Sequence, residues 1–321
     1  MKIGFSASVY EHAAALIGRT PWEASRDPEL VFRAHATAYE RYRHFPVVPG
    51  IDIYNLEAEA YGCEVDKPDG TGAPAISRHP FGGLDEVLGL APFDPARAGR
   101  IPALLEVARR LKARFPEADV RFPVSGPFSV ALNLLGVETV TMAALESPDE
   151  LRAALEHLVD AQAGLARAVA RAGLGVAFFE SGAAPPLLSP ALFRRVEAAP
   201  LRRLMDEVRR VTSQPAACII GGDTAPIVPD MVATGAGFLI CPAETDRDAF
   251  LAAMKSHPGV KTRVNLAPDL LVRGTQGEII AAVDEVIRLA KGNPDVLLGT
   301  GALPYETPPE NVDLINRYTR E

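Results

Sequence analysis

The chain has 321 residues, of which 48% are hydrophobic and 23% charged, so it has ordinary globular composition and can bury a large core. A net charge of -8 argues against nucleic acid or an anionic membrane surface as a partner. The three cysteines are far apart, which argues against a disulfide framework and a local zinc knuckle and favours a reducing, cytoplasmic setting. We expect a soluble protein, because no signal peptide and no 18-residue apolar stretch is found.

Short apolar or β-branched runs alternate with long amphipathic runs rich in Ala, Leu, Arg and Glu. This alternation is typical of βα units around a parallel sheet. An eighth strand is expected to be irregular or to lie near the N-terminus. The seven strands predicted directly cover residues 46–52, 120–126, 176–181, 216–222, 237–242, 261–266 and 296–301.

Helix starts are marked by capping patterns. Ser147-Pro148-Asp149-Glu150 and Thr307-Pro308-Pro309-Glu310 combine a hydroxyl residue at the N-cap, Pro at the first helical position and Glu at the third. Ser189-Pro190 and Thr275-Gln276-Gly277-Glu278 repeat parts of the pattern. We therefore predict that helices begin at these four points.

Seven or eight βα units in about 320 residues favour an α/β fold of the (β/α)8 TIM-barrel type, with the active site at the C-terminal ends of the strands. A doubly wound open sheet is the alternative, but its Gly-rich phosphate turn is absent. We expect one barrel domain over residues 1–321. The Pro/Gly-rich segment at about 64–95 is expected to be a lid or substrate loop at the barrel mouth.

The stretch GIDIYNLEAEAYG, residues 50–62, joins a predicted strand to a helix and carries four polar candidates. Asp52, Asn55 and Glu59 share one helical face and are expected to face the mouth. Glu57 is a second choice, because it lies about 200° around an ideal helix from Glu59. The alternative is a solvated first turn, where acidic side chains favour the positive end of the helix dipole.

Four more candidates lie at the end of a predicted strand or directly after it. Glu180 either acts in catalysis or binding or caps the next helix. Asp223 either contacts a ligand or forms an Asx-turn with Thr224. Asn265 either binds a ligand amide or ties a turn, and Cys241 is either a ligand or a structural thiol.

Six segments, in the same order along the chain, resemble the uroporphyrinogen decarboxylase superfamily. Within it they are most similar to the methylcobalamin:coenzyme M (thiol) methyltransferase branch. The resemblance implies a TIM barrel. The segments are TPWEASRDPELVFRAHATAYERY, GIDIYNLEAEAYGCEV, PVSGPFSVALNLLGVE, ESGAAPPLLSPALFRR, VNLAPDLL with GTQGEII, and GTGALPYETPPENV.

The resemblance to the decarboxylases places Asp52 where they hold the carboxylate that binds the substrate's pyrrole nitrogens. Asn265 falls in their Gly-Asn-Leu-Asp-Pro turn. Their Arg-rich N-terminal motif is missing, and their Gly-His-Gly reads Gly299-Thr300-Gly301. A substrate with eight carboxylates would lack its counter-charges, so the departures disfavour porphyrinogen decarboxylation.

The resemblance to the thiol methyltransferases implies zinc held by His-x-Cys and a later Cys. These ligands align with Ile219, Gly221, and Gly301 or Ala302, so all three are absent. We expect Cys218 to pack under the helices, because it lies one position off the ligand pair on its strand. No zinc site is therefore expected.

The leading hypothesis is a methyltransferase that uses a corrinoid (methylcobalamin), free or carried by a partner protein. Asp52, Glu59 and Glu180 would position a small acceptor and manage its proton in place of a zinc thiolate. A reduced pterin nitrogen would suit such a site. The substrate-binding candidates are Asn55, Glu57, His79, Phe128, Asp223, Cys241 and Asn265; Phe128 falls in the family's substrate-contacting turn, with core packing as its alternative.

Two alternatives stay open. One is a decarboxylase or lyase acting on a smaller tetrapyrrole-like or aromatic acid, for which Arg78, His79 and Arg263 are the basic residues expected at the mouth. The other is a noncatalytic, ligand-binding member of the fold, because a disabled enzyme would also lose its metal ligands.

Overall fold

The computed structural model describes residues 3–320. All of its strands run parallel in one sheet, and the strands are β1 Phe5–Ser8, β2 Arg121–Ser125, β3 Gly175–Phe179, β4 Ala217–Ile219, β5 Phe238–Cys241, β6 Lys261–Leu266 and β7 Val296–Ala302.

Helices fill the connections and cover the sheet. Three further short turns are 3₁₀ or π helices, at Ile53–Asn55, Phe193–Glu197 and Ala225–Ile227. The α-helices are α1 Glu11–Leu16, α2 Pro21–Arg26, α3 Pro28–Tyr42, α4 Leu56–Ala60, α5 Leu84–Leu88, α6 Ile101–Arg114, α7 Pro127–Leu135, α8 Val137–Glu146, α9 Pro148–Arg171, α10 Pro190–Leu192, α11 Ala198–Thr212, α12 Val228–Ala233, α13 Arg247–Met254, α14 Pro268–Arg273, α15 Gln276–Ala290 and α16 Pro309–Tyr318.

The strand order distinguishes the two architectures that the sequence allowed. The order is β1-β7-β6-β5-β4-β3-β2, so β2 to β7 lie beside their sequence neighbours and β1 pairs with the last strand. A doubly wound sheet reverses direction at a switch point, whereas this order runs one way around a curved sheet. The fold is therefore TIM-barrel-like, with seven strands and a ladder that does not close.

The gap between β1 and β2 is occupied by residues 44–52, here called the closing segment. The amide of Val47 donates to Asp119 O over 2.8 Å, and the amide of Arg121 donates to Val47 O over 2.9 Å. On the other side, Ser6 Oγ donates to Phe45 O. The closing segment thus takes the place of an eighth strand while only Val47 forms a β-bridge.

The prediction of a strand at 46–52 is therefore wrong. The additional strand that was expected to be irregular or near the N-terminus is β1, the first of the seven strands. Pro46 and Pro49 have no amide hydrogen to donate to a ladder. Gly50 has φ +124°, which turns the chain out of extended conformation. The other six predicted strands are confirmed. The strand predicted at 216–222 is shorter, because Gly222 has φ +83°.

The predicted helix starts are confirmed at three of four positions, although the caps differ. Thr275 forms a complete capping box with Glu278, and Ser189 accepts from the amide of Leu192. Ser147 is the N-cap of α9 but its side chain makes no capping hydrogen bond. The last helix begins after Pro308 instead of Thr307.

The core shows why the long helices form where they do. On α9, Leu151, Leu155 and Leu158 recur at helical spacing and are fully buried. None of the helices within residues 3–320 is by itself long and apolar enough to cross a bilayer; α7 and α8 meet that requirement only together, and they are bent by 118°.

Candidate active site

A cavity of about 330 Å³ lies at the C-terminal ends of the strands, and we call it the mouth cavity. Its volume falls at the lower end of the range for small-molecule sites. Apolar side chains form most of its wall, and a few polar groups converge on it. The polar lining side chains are Ser8, Glu11, Asp52, Asn55, Ser181, Glu244, Arg263 and Asn265, and the apolar and aromatic ones include Tyr10, Ile51, Ile53, Tyr54, Phe179, Ile219, Ile220 and Ile240.

Four charged side chains pair with one another, and we call them the ion network; only Asp52 among them lines the mouth cavity, and the four are Arg26, Asp52, Glu59 and Arg100. Asp52 is nearly buried, and its oxygens accept from Arg26 over 3.0 Å and from Arg100 over 2.7 and 2.8 Å. Glu59 accepts from both arginines over 2.7 Å. Two positive and two negative charges cancel, so the ion network carries no net charge.

The Asp52 carboxylate therefore serves to hold its neighbours in place and is not free to act as a general base. It also accepts from Asn55 Nδ2 over 3.1 Å, which brings four donors to a carboxylate that has about four lone-pair positions. An incoming donor would have to displace one of them. Asn55 contacts Asp52 directly, and Glu59 is connected to Asp52 through the two arginines. The three side chains therefore lie on one side of this turn, as the helical spacing predicts.

Asn55 also fixes the loop at 64–95 against the cavity. Its Nδ2 donates to Pro74 O over 2.8 Å, and Ala73 and Pro74 form part of the cavity wall. Thr71 in the same loop donates to Glu306 over 2.6 Å. The loop therefore contributes two residues to the wall, and its role as a lid or substrate loop stays a prediction.

Glu57 points away from Glu59, as the helical spacing predicts. It is fully buried and accepts from the amide of Ser125 over 2.7 Å and from Ser125 Oγ over 3.0 Å. It lies outside the mouth cavity and ties α4 to the end of β2. Burial raises its pKa to about 7, with the hydrogen bonds from Ser125 acting in the opposite direction.

Glu180 also lies outside the mouth cavity, which corrects its expected position. Phe179 lines the cavity, and side chains alternate along a strand, so the next residue points to the helix side of the sheet. One oxygen of Glu180 accepts from the amide of Ser129 over 2.8 Å, near the start of α7. Gly126 leaves room for the carboxyl, since a Cβ there would lie 1.3 Å from Glu180 Oε2.

Four further candidates also lie away from the mouth cavity. Phe128 is fully buried in the core. Cys241 is buried, and burial raises the pKa of its thiol to about 12, so it is a poor nucleophile. Asp223 is exposed and accepts from Thr245 over 2.8 Å. His79 is exposed in the loop and contacts Asn133 O. Their predicted roles as ligand contacts have no support from this geometry.

Asn265 does line the mouth cavity, next to a buried arginine. Its Oδ1 accepts from Arg263 Nε over 3.0 Å, and its backbone oxygen accepts from Arg247 over 2.9 Å. Of the ten residues predicted for the site, Asp52, Asn55 and Asn265 line the cavity. Glu59 contributes indirectly through the ion network.

Glu11 is the main site residue that the sequence analysis missed. It begins α1, three residues after β1 ends, and it lines the mouth cavity. It is partly exposed there and makes no ion pair with any residue in the described part of the chain. Burial raises its pKa to about 7, its own backbone amide lowers it, and the charge of Asp52 raises it further. The rule that acids after barrel strands line the mouth would have found it.

The positions where the thiol methyltransferases would hold zinc do converge on the mouth cavity. Ile219, Gly221, Gly301 and Ala302 all line it, and none can bind a metal through its side chain. Among residues 3–320, no group of three His, Cys, Asp or Glu side chains is arranged to hold a metal ion. A Cβ at Gly301 would come within 2.7 Å of Pro268, so a cysteine there would require a shift. The donor set does not fit zinc.

Residues 3–321 match the model of the uroporphyrinogen decarboxylase (URO-D) family. The chain belongs to this family. A uroporphyrinogen decarboxylase of Parasynechococcus marenigrum is 27% identical over 298 residues, which cover 90% of this chain and 82% of that relative. The known relatives described here, a decarboxylase and the methyltransferases below, are enzymes.

Methyltransferases are among the similar proteins as well. The methylcobamide:CoM methyltransferase MtaA of Methanosarcina barkeri is 27% identical over 199 residues, covering 59% of this chain and 56% of that protein. A solved methyltransferase from Methanosarcina mazei superposes with a TM-score of 0.82 at 24% identity, over 99% of this chain and 94% of that one. At that identity the superposition shows the shared fold.

The ion network generates a prediction about stability. Asp52→Asn should leave two arginines with one carboxylate and lower the free energy of unfolding by about 2–4 kcal/mol, somewhat less than for a fully buried pair. Asp313→Asn, which removes the exposed partner of Arg41, should cost at most about 1 kcal/mol. Urea unfolding measures both, and equal costs would contradict the anchoring role of Asp52.

The buried acids generate a prediction about pH. Glu197 is fully buried near Glu180, both of its oxygens lack a partner within residues 3–320, and burial raises its pKa well above the ordinary value. The folded state then keeps a proton that the unfolded chain releases above its ordinary pKa near 4.5. The stability of the folded state should therefore fall as pH rises from that value through the raised pKa.

Glu197→Gln should remove this loss and be more stable than the unsubstituted protein at pH 8, with a difference that shrinks toward pH 5. Glu207 offers a control of opposite sign, because its hydrogen bond with Arg210 lowers its pKa to about 2. Glu207→Gln should lower stability at pH 8, and its deficit should vanish as pH falls through 2. Unfolding curves from pH 2 to 8 test both, and a pH-independent difference for Glu197→Gln would refute the assignment.

Proposed function

We propose that this chain is a methyltransferase that transfers a methyl group between a corrinoid and a small molecule held in the mouth cavity, without zinc. The observation that carries the proposal is the composition of that cavity: it is where the thiol branch would place its zinc, yet its lining contains no thiol and no imidazole. The similarity to methylcobamide:CoM methyltransferases supports the reaction class.

The cavity favours an acceptor that is nucleophilic without a metal. Phe179, Ile219 and Ile240 offer apolar walls for a flat ring, and Gly221 leaves open space beside them. A reduced pterin nitrogen has this character. A corrinoid is larger than the cavity and would lie across its opening; when bound, a methylated corrinoid supplies an electrophilic methyl group.

The side chains can be given distinct roles. Asp52, held by the ion network, orients Asn55, and Asn55 offers its amide and the adjacent Pro74 wall to the acceptor. Methylation of an N–H acceptor releases one proton, and Glu11 is a cavity carboxyl outside any ion pair that can accept it. In this scheme Glu11 takes the proton role first predicted for Asp52, Glu59 and Glu180.

A spectroscopic assay tests the reaction. Purified protein is mixed with methylcobalamin and, separately, with each of several thiols and reduced pterins. We expect the cobalamin absorption spectrum to change with at least one pterin, and metal analysis to find much less than one zinc per chain. Unchanged spectra with every acceptor would refute the proposal.

Glu11→Gln tests the proton role. The substitution should lower the rate of methyl transfer by about 10²–10⁴-fold, the usual contribution of a general base. Without the substitution, the rate should rise with pH through about 7, where Glu11 ionises, and the variant should lose that rise. Glu310→Gln on exposed α16 is the matched control and should behave as the unsubstituted protein. A variant with normal rate and pH profile would exclude Glu11.

A decarboxylase or related lyase acting on a small aromatic acid is the second candidate. It is favoured by the match to uroporphyrinogen decarboxylases over 90% of the chain. Arg78, one of the basic residues it would need, is exposed and pairs with Glu64 outside the cavity. Release of CO₂ from uroporphyrinogen or from aromatic acids, with no change in the cobalamin spectrum, would favour this function over methyl transfer.

A further inference from the structure

Arg263 is a buried cation without a counter-ion. It extends from β6 into the mouth cavity and is 3% exposed. Its Nε donates to Asn265 Oδ1 over 3.0 Å, and its Nη1 donates to Ser6 Oγ over 3.3 Å. Both partners are neutral. Its Nη2 makes no hydrogen bond within residues 3–320, and no Asp or Glu of that range forms an ion pair with it.

Such an arrangement is costly for a folded protein. Taking a charged side chain out of water costs several kcal/mol, and proteins normally offset that cost with an opposite charge. Two partly buried arginines nearby follow the rule, because Arg26 and Arg100 share Asp52 and Glu59. Arg263 departs from it inside the cavity where a ligand would bind.

The neighbouring strand is shaped to hold this side chain. A Cβ at Gly299 on β7 would lie 2.3 Å from Arg263 Cδ, so only glycine leaves room for it. Tyr10 and Arg263 line the same cavity. Burial lowers the pKa of the guanidinium to about 10, which still leaves it positively charged at neutral pH.

We propose that Arg263 is an oxyanion-binding residue, and that the small molecule bound in the mouth cavity carries a carboxylate or a chemically similar oxyanion that pairs with its Nη1 and Nη2 edge. A guanidinium edge matches two oxygens of such a group in one plane. The apolar wall formed by Phe179 and Ile219 would hold the rest of the molecule. The inference rests on the proposed function only for taking the mouth cavity as the substrate site.

Binding of simple probes tests the inference without any corrinoid. Isothermal titration calorimetry compares benzoate with its neutral analogue benzamide, and adds benzenesulfonate and phenyl phosphate to separate the kinds of oxyanion. We expect benzoate, or one of the other two anions, to bind at least about tenfold more tightly than benzamide. Arg263→Gln should abolish that preference while leaving benzamide binding unchanged, and Arg78→Gln on the exposed loop should have no effect.

Two further variants separate recognition from structural support. Gly299→Ala should displace the guanidinium and weaken anion binding without changing any charge. Arg263→Lys keeps a charge but loses the two-nitrogen edge, so it should weaken anion binding as well while retaining the fold. The thermal unfolding midpoint of Arg263→Gln should not fall, because the substitution removes an unpaired buried charge.

If none of the three anions bound more tightly than benzamide, or if the preference for an anion survived in Arg263→Gln, the inference would be overturned. An unfolded Arg263→Gln combined with normal anion binding in Gly299→Ala and Arg263→Lys would also overturn it. The outcome is independent of methyl transfer: an anion preference in a protein that leaves methylcobalamin unchanged supports this site and refutes only the proposed reaction. Methyl transfer to a neutral acceptor, by a protein that shows no preference for anions, would support the proposed reaction and refute the anion site.

Discussion

The hydrogen bonds that Asp52 accepts from Arg26 and Arg100 hold the last residue of the closing segment in place. They matter because the closing segment has few backbone bonds of its own: Val47 forms a single bridge, and the rest of the segment passes between β1 and β2 without a ladder. A strand would have held the closing segment along its whole length. The ion network instead holds it at one end, at Asp52. Asn55, and through it the wall at Pro74, takes its position from the same carboxylate.

The acidic residues of this end of the molecule fall into two groups, and strand geometry separates them. Glu11, Asp52 and Glu244 reach the cavity, whereas Glu57, Glu180 and Glu197 are buried outside it. Alternation along β3 puts Phe179 in the cavity and its neighbour under a helix. Burial raises the pKa of all three acids in the second group above that of an ordinary carboxyl.

Much of the frame was predictable because it depends on local patterns. Six strands, most helix starts and the common face of Asp52, Asn55 and Glu59 follow from periodicity and capping. The local patterns did not predict the ion pairs of Asp52, because Arg26 and Arg100 are distant in sequence and approach Asp52 only in the folded chain. The direction of Glu180 required the exact register of β3. The closing segment was misread because its apolar content resembled a strand, while its two prolines prevented a ladder.

The pairing of β1 with β7 has a consequence for how the protein is made. The cavity takes Tyr10 from the start of the chain and Gly301 from near its end, so the two halves of its wall are synthesised far apart in time. A nascent chain emerges N-terminus first and can pack its early helices well before β7 leaves the ribosome. Until then β1 has no neighbour on its β7 side. Ligand binding should accordingly report on completed chains, and shortening the C-terminus before β7 should abolish it.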